Sequence, residues 1–365
     1  MWGVIMKSLV ITGDSLSYNR YDYLDEPRTN AWDCPNGMGS WSFRLRNLFL
    51  STAKGFKYAD ELNFNEQAIS GIGEEFDPMD SVFGERVRTV IPKHDKIRFE
   101  AESDNGKIVL YLQKRPRNYC RFSISVDGIC HNERIDTYGD NSFYRGWSVL
   151  PVELACDKNK KQHEIVLSQF EYADDKPMVT IAGLSVEPRY SVVTGQGCRT
   201  AKFINFHFEQ RVAAFSPDAL VLIFGGNDVL YYSPEEYREN LEIFFKAMKA
   251  RFPECKLITV TIPPSALYTG LTNGVKYTSQ KDWDENQAKY NNIMIEVSQK
   301  YGAQTVITEE LFSGIPTEKW RFDDVHMKRF GNDLLFEKDF KIFPIFLRRI
   351  IKNIISAKNQ HQGIG

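Results

Sequence analysis

Two regions of this chain alternate apolar strands with helical stretches, and the long region between them does not. That interruption constrains the fold more than any other feature. From about residue 191, "PDALVLIFGGND" reads as a buried strand ending in a glycine-rich turn. "SPEEYRENLEIFFKAMKARFP" reads as a helix capped by Ser233, with Pro234 in its first turn and acids beside it. "CKLITVTIPP" is a further strand, "DENQAKYNNIMIEVSQKYG" a helix ending at Gly302, and "AQTVIT" another strand. Near the N-terminus, Leu9, Val10, Ile11 and Thr12 form a strand stopped by Gly13, Asp14 and Ser15. Such alternation is the signature of a parallel sheet with helices on both faces.

Between about 84 and 190 the pattern changes. "DKIRFEAES", "GKIVLYLQKR", "YCRFSISVDG", "WSVLPVELA", "HEIVLSQFEY" and "MVTIAGLSVEP" are short runs, several with alternating apolar positions, and turn-rich segments such as "SDNG" and "TYGDN" separate them. They predict a small antiparallel β-sandwich without a helix of its own. The expected organisation is an α/β domain over 1–83 plus 191–365, with an all-β, jelly-roll-like module over 84–190 inserted in it.

With 42% hydrophobic residues in 365, the chain can bury a sizeable core. A formal net charge of −2 gives no basic excess for a nucleic-acid partner. The six cysteines form no C-x-x-C pair, which argues against structural zinc or a dense disulfide scaffold. Reduced thiols in a cytosolic protein are the expectation. "MWGVIMKSLVITGD" lacks the charged, apolar and small-residue regions of a signal peptide, so the expected location is cytoplasmic. No stretch reaches the roughly 18 uninterrupted apolar residues of a spanning helix. In "FKIFPIFLRRIIKNIISAK", Phe343, Leu347, Ile350 and Ile354 fall at helical spacing among Arg348, Arg349 and Lys352. The expectation there is a terminal helix packed on its own domain rather than one lying on a membrane.

The chemistry sits where strands end. Nucleophilic acyl transfer needs a hydroxyl, a base to take its proton, a group to orient the base, and donors for the oxyanion. Ser15 closes the first strand, where α/β folds keep their sites. Asn227 in "FGGND" closes a later strand and carries an amide able to donate. In "RFDDVHMKRFGNDLLFE", Asp323 stands three residues before His326, close enough to reach the imidazole and hold its tautomer.

These blocks, in this order, resemble the SGNH hydrolases, also called the GDSL esterase/lipase superfamily. "GDSLS" is similar to that family's first block, "GGND" to its third and "DDVH" to its last; "VTIPP" and "YNNIMIEVSQKYG" add to the likeness. The resemblance covers roughly residues 6–71 and 191–340. It implies a three-layer α/β/α, flavodoxin-like parallel sheet, with Ser15 as nucleophile, His326 as base and Asp323 as orienting acid. Asn227 and the Ser15 backbone N–H would form part of the oxyanion hole. The glycine completing that hole has three candidates. Gly71 follows a short strand in "AISGIG", while Gly195 and Gly197 follow a second one in "YSVVTGQGC". Family members with an inserted β-module place this glycine after the insert, which favours Gly195 or Gly197.

The resemblance implies a carbohydrate ester as substrate, chiefly an O-acetyl ester, cleaved through an acyl-serine without metal or organic cofactor. An O-acetyltransferase, a lipid or thioester acylhydrolase, and a glycan-binding protein without turnover are the alternatives. His94, His131, His163, His207 and His361 show no ligand spacing and are expected in ordinary surface or core roles. Trp32, Trp41 and Arg44 either line the site or anchor a loop, and Tyr231 and Tyr232 are equally open. Tyr119, Tyr144 and Trp147 are expected to pack inside the sandwich rather than stack on a sugar.

Overall fold

The computed structural model describes residues 6–17, 41–66, 68–70, 87–91, 96–114, 119–139, 148–172, 178–321 and 323–342. Strand β1 is Ser8–Gly13, and all six of its residues are buried. The chain then enters antiparallel structure through β2 (Lys57–Tyr58), β3 (Ala68–Ser70), β4 (Arg88–Val90), β5 (Lys96–Glu102) and β6 (Lys107–Gln113). It continues with β7 (Cys120–Val126), β8 (Ile129–Asp136), β9 (Val149–Ala155), β10 (Gln162–Tyr172) and β11 (Val179–Ser185). The α/β region resumes with β12 (Tyr190–Val193), β13 (Ala219–Ile223) and β14 (Lys256–Val260). A hairpin of β15 (Leu271–Thr272) and β16 (Val275–Lys276) precedes β17 (Gln304–Val306).

Five strands form the parallel sheet in the order β12-β1-β13-β14-β17. Counted along that sheet the order is 2-1-3-4-5, the flavodoxin-like arrangement expected from the sequence. In this arrangement the chain reverses direction between β1 and β13 and leaves a crevice at their carboxyl ends. The two strands run in register from Leu9 opposite Ala219 to Gly13 opposite Ile223. Helices cover the sheet. Pro234–Arg251 begins with a full capping box between Ser233 and Glu236 and buries Tyr237, Leu241, Phe244, Phe245 and Met248. Gln280–Lys300 buries Tyr290, Ile293, Met294 and Val297 on its inner stripe.

The intervening strands form a four-stranded sheet, β5-β10-β7-β8, and a six-stranded sheet, β3-β4-β11-β6-β9 with β2 paired to β11. Ile97 and Phe99 of the first face Ile108, Leu110 and Ile181 of the second in one shared core. Alternate residues of β6 point the other way. Val109 and Tyr111 pack with Leu50 and Ala53, at the end of the helix Trp41–Ser51. This two-sided burial explains why β6 reads as a nearly continuous apolar run rather than an alternation.

The expected start of antiparallel structure, residue 84, is too late. Tyr58 pairs with Gly183, and Ala68 with Val90, so residues 57–70 already belong to the six-stranded sheet. Strands of two and three residues are too short to show a period of two. Phe343 and the rest of the C-terminal stripe lie outside the described residues, which end at Ile342 with the helix Arg329–Ile342. Among the described residues, no helix is long and apolar enough to cross a membrane.

At the crevice, β1 and β13 approach as closely as backbone permits. Gly13 has φ +151°, and a Cβ placed on it would lie 2.0 Å from the Ile223 carbonyl oxygen. Replacing Gly13 by alanine is therefore expected to cost about 3 kcal/mol in urea unfolding. A Gly13→Ala protein as stable as wild type would contradict this packing.

Candidate active site

Just past Gly13 the chain turns sharply, and hydrogen bonds fix every step of that turn. Asp14 N–H donates to Ile223 O at 3.2 Å, tying the turn to β13. Asp14 Oδ1 accepts from Leu16 N–H at 2.9 Å, and Ser17 Oγ donates to Asp14 O at 2.6 Å. The buried Trp41 donates its indole N–H to Leu16 O at 3.0 Å. Ser15 starts a single 3-10 turn and is left half-exposed. Trp41 thus anchors the loop. Arg44 is held by Asp333 and lies over Phe336, 4.3 Å from the ring centroid.

Ser15 Oγ lies 2.9 Å from Nε2 of His326, a residue 311 positions away in the chain. His326 Nδ1 lies 2.8 Å from Asp323 Oδ2. The other oxygen, Asp323 Oδ1, accepts backbone N–H bonds from Val325 at 2.8 Å and His326 at 2.7 Å. Burial works against the Asp323 charge. The hydrogen bond and charge interaction with His326, with the two backbone bonds, outweigh it and hold the carboxyl well below its usual range. The loop itself is pinned by a bridge between Arg321 and the fully buried Met327. Asp324 O also accepts from Ala266 N–H at 2.8 Å.

Asn227 stands at the N-cap of the short helix Asp228–Tyr231, yet its side chain does not cap it. Instead Nδ2 donates to Arg199 O at 3.0 Å, in the turn after β12. One amide proton is spent on orientation, and a second remains on the same nitrogen. Gly195 and Gly197 belong to that turn. Gln196 N–H donates to Gly13 O at 3.0 Å, which brings the turn beside the Ser15 elbow. A Cβ on Gly195 would lie 1.5 Å from Ser17 Oγ, so a glycine there is a steric requirement. Gly197 stands further out and is half-exposed. Arg211 braces the turn from behind, donating to Thr194 O at 2.6 Å and also bonding Gln196 Oε1. Gly71 lies outside the described residues, and the strand before it, β3, belongs to an antiparallel sheet.

Two acids that the sequence reading did not single out lock these turns together. Asp14 and Asp228 are fully buried. Asp228 Oδ1 accepts from Ala201 N–H at 3.0 Å, joining the Asn227 turn to the helix after Arg199. Asp14 Oδ2 faces the Gly226–Asn227 backbone without a squarely aligned bond. Burial pushes both carboxyls up to about 7, and Asp228 adds charge repulsion at Asp14. Each acid directly adjoins a candidate site residue, in "GDS" and "GGND"; their immersion in apolar sequence is the available signal.

The remaining candidates scatter. Tyr231 is exposed, while Tyr232 O accepts from Tyr290 Oη at 2.5 Å. Tyr119 packs against Tyr138. His163 is buried against Asp127, and His207 pairs with Gln210. Trp32, His94, Tyr144, Trp147 and His361 lie outside the described residues. Among the described residues, no group of three or more His, Cys, Asp or Glu side chains is placed to hold a metal ion.

The buried acids set a pH dependence. Their folded values lie above the ordinary 3.8, so between about pH 4 and 7 the folded chain holds protons that the unfolded chain releases. Stability contributed by these groups therefore falls as pH rises through that window. The urea midpoint of Asp228→Asn, which keeps the Ala201 bond, is expected to fall less than that of wild type between about pH 5 and 8. Parallel profiles would contradict the assignment.

A model of the GDSL-like Lipase/Acylhydrolase family matches residues 180–355. No curated protein matches the chain by sequence. Among solved structures, a peptidoglycan O-acetylesterase is similar over 94% of this chain and 92% of its own, at 14% identity and a TM-score of 0.43. A lipase/acylhydrolase from Enterococcus faecalis is similar over 43% of this chain and 76% of its own, at 19% identity and a TM-score of 0.34. A catalytic mutant of an acetylxylan esterase from Geobacillus stearothermophilus covers 44% and 72%, at 18% identity and a TM-score of 0.34. Residues 180–355 thus match the GDSL-like Lipase/Acylhydrolase family, the family to which the motifs around Asn227, Asp323 and His326 also point.

Proposed function

We propose that this protein is a serine esterase that removes short acyl groups, chiefly acetyl, from a carbohydrate through an acyl-serine intermediate. The observation that carries the reading is the unbroken row Ser15 Oγ, His326 Nε2, His326 Nδ1, Asp323 Oδ2, with separations of 2.9 and 2.8 Å. His326 takes the Ser15 proton as Oγ attacks the ester carbonyl. Asp323 holds Nδ1 protonated so that Nε2 is free to accept. The developing oxyanion is met by the second Asn227 amide proton, the Ser15 N–H and a backbone N–H of the turn after β12, with Gly197 as its outermost glycine. The leaving alcohol receives the proton from His326, and water then resolves the acyl-serine by the same relay.

The substrate reading rests on the described rim beside Asn227. Arg199, Lys202, Tyr231 and Tyr232 make it polar and aromatic. Such a rim suits a sugar and offers little apolar surface to a long acyl chain, where each buried methylene contributes about 0.8 kcal/mol.

Hydrolysis of p-nitrophenyl esters from acetate to decanoate tests this. The expected rate is highest on acetate, falls steeply with chain length and disappears in Ser15→Ala. A rate that rises with chain length would favour a lipid acylhydrolase. No Ser15-dependent rate on any ester would remove the esterase reading and leave a transferase or a binding protein.

Asp323→Asn separates orientation from bulk. Its carbonyl oxygen would take the two backbone bonds, leaving the NH2 group facing Nδ1 and forcing the wrong tautomer. A loss of about a thousandfold or more in kcat is expected at little cost in stability. An Asp323→Asn enzyme within tenfold of wild type would contradict the role.

A further inference from the structure

The outer side of the turn after β12 carries two cations, Arg199 and Lys202, that no carboxylate among the described residues neutralises. Arg199 is half-buried, and its carbonyl is fixed against Asn227 Nδ2 at 3.0 Å. Its guanidinium carbon stands 4.6 Å from the centroid of the Phe203 ring. Three residues on, Lys202 Nζ lies 5.7 Å from the centroid of Tyr232, just past the short helix that follows Asn227. Neither cation has a carboxylate partner among the described residues, and Arg199 Nε is buried without an acceptor. Elsewhere Arg121, Arg238 and Arg251 are each paired with a carboxylate. Asp14 and Asp228, the two acids that brace the neighbouring turns, are fully buried.

A partly desolvated guanidinium without an acceptor is costly, and an arriving anion removes that cost. The planar fork of arginine matches a carboxylate through two parallel bonds, and stacking on an aromatic face holds the plane ready. Arg199 lies one side-chain length from the Asn227 amide. That spacing suits an ester and an acid group on the same sugar or on its neighbour.

We propose that Arg199, assisted by Lys202, binds a carboxylate carried by the substrate, so that the preferred substrates are O-acylated acidic sugars rather than neutral ones. This specificity rests on the esterase reading, but the anion site itself does not need turnover to be measured.

The test compares acetylated methyl glucuronoside with acetylated methyl glucoside as substrates of wild type, Arg199→Met and Arg199→Lys. Wild type is expected to favour the acidic ester in kcat/KM by about tenfold or more, chiefly through KM. The preference should weaken as salt rises, collapse to within about twofold in Arg199→Met and return in part in Arg199→Lys. Equal rates on the two esters, or a preference unchanged in Arg199→Met, would overturn the proposal. Calorimetric binding of methyl glucuronoside to Ser15→Ala, with and without Arg199→Met, supplies the second readout. If wild type cleaves no ester yet this binding persists and requires Arg199, the esterase reading fails and the anion site stands. Absence of binding, or binding indifferent to Arg199, overturns the anion site whatever the enzyme hydrolyses.

Discussion

The hydrogen bond from Asp14 N–H to Ile223 O, made at the closest approach of β1 and β13, is the contact on which the rest of the site depends. It forms because Gly13 lacks a Cβ that would strike the same carbonyl. It fixes where β1 stops and therefore where the elbow bearing Ser15 begins. It also joins that elbow to the strand leading to Asn227. Gly13 O accepts from Gln196, so the third turn is set against the same point. Three segments distant in sequence are thus brought to one crevice by backbone bonds, before any side chain contributes.

Side-chain electrostatics then divide the carboxyls by task. Asp323 meets His326 and two backbone donors, which favour its charge despite burial, so it remains an anion able to orient an imidazole. Asp14 and Asp228 are sealed in the seams between turns, where burial disfavours charge. They act as braces, using acceptor oxygens to hold Leu16 and Ala201. The same residue type stays charged beside His326 at the solvent edge and serves as a brace inside because of how many donors meet each oxygen.

Much of this was legible in the sequence. The strand ending at Gly13 and the strand ending before "GGND" marked Ser15 and Asn227, and the three-residue spacing of Asp323 and His326 marked the pair that meets Ser15. Strand–helix alternation gave the parallel sheet, because one buried strand per crossover leaves a local trace. What escaped was non-local or short. Strands β2 and β3 acquire their identity from β11 and β4, not from a pattern of their own. Arg211 reads as an ordinary helical cation until the fold delivers it to Thr194 and Gln196. For Arg199 the informative feature is the lack of a carboxylate partner among the described residues, which only the folded arrangement reveals.

The central claim is that His326 and Asp323 activate Ser15 as a nucleophile. Intact-mass measurement after exposure to a small fluorophosphonate tests this directly, since Oγ displaces fluoride and leaves a stable phosphonyl-serine. The account predicts a single adduct, mapped by fragmentation to Ser15, forming rapidly in wild type, far more slowly in His326→Ala and not at all in Ser15→Ala. A wild-type protein that stays unmodified, or an adduct at another residue that survives Ser15→Ala, would contradict it.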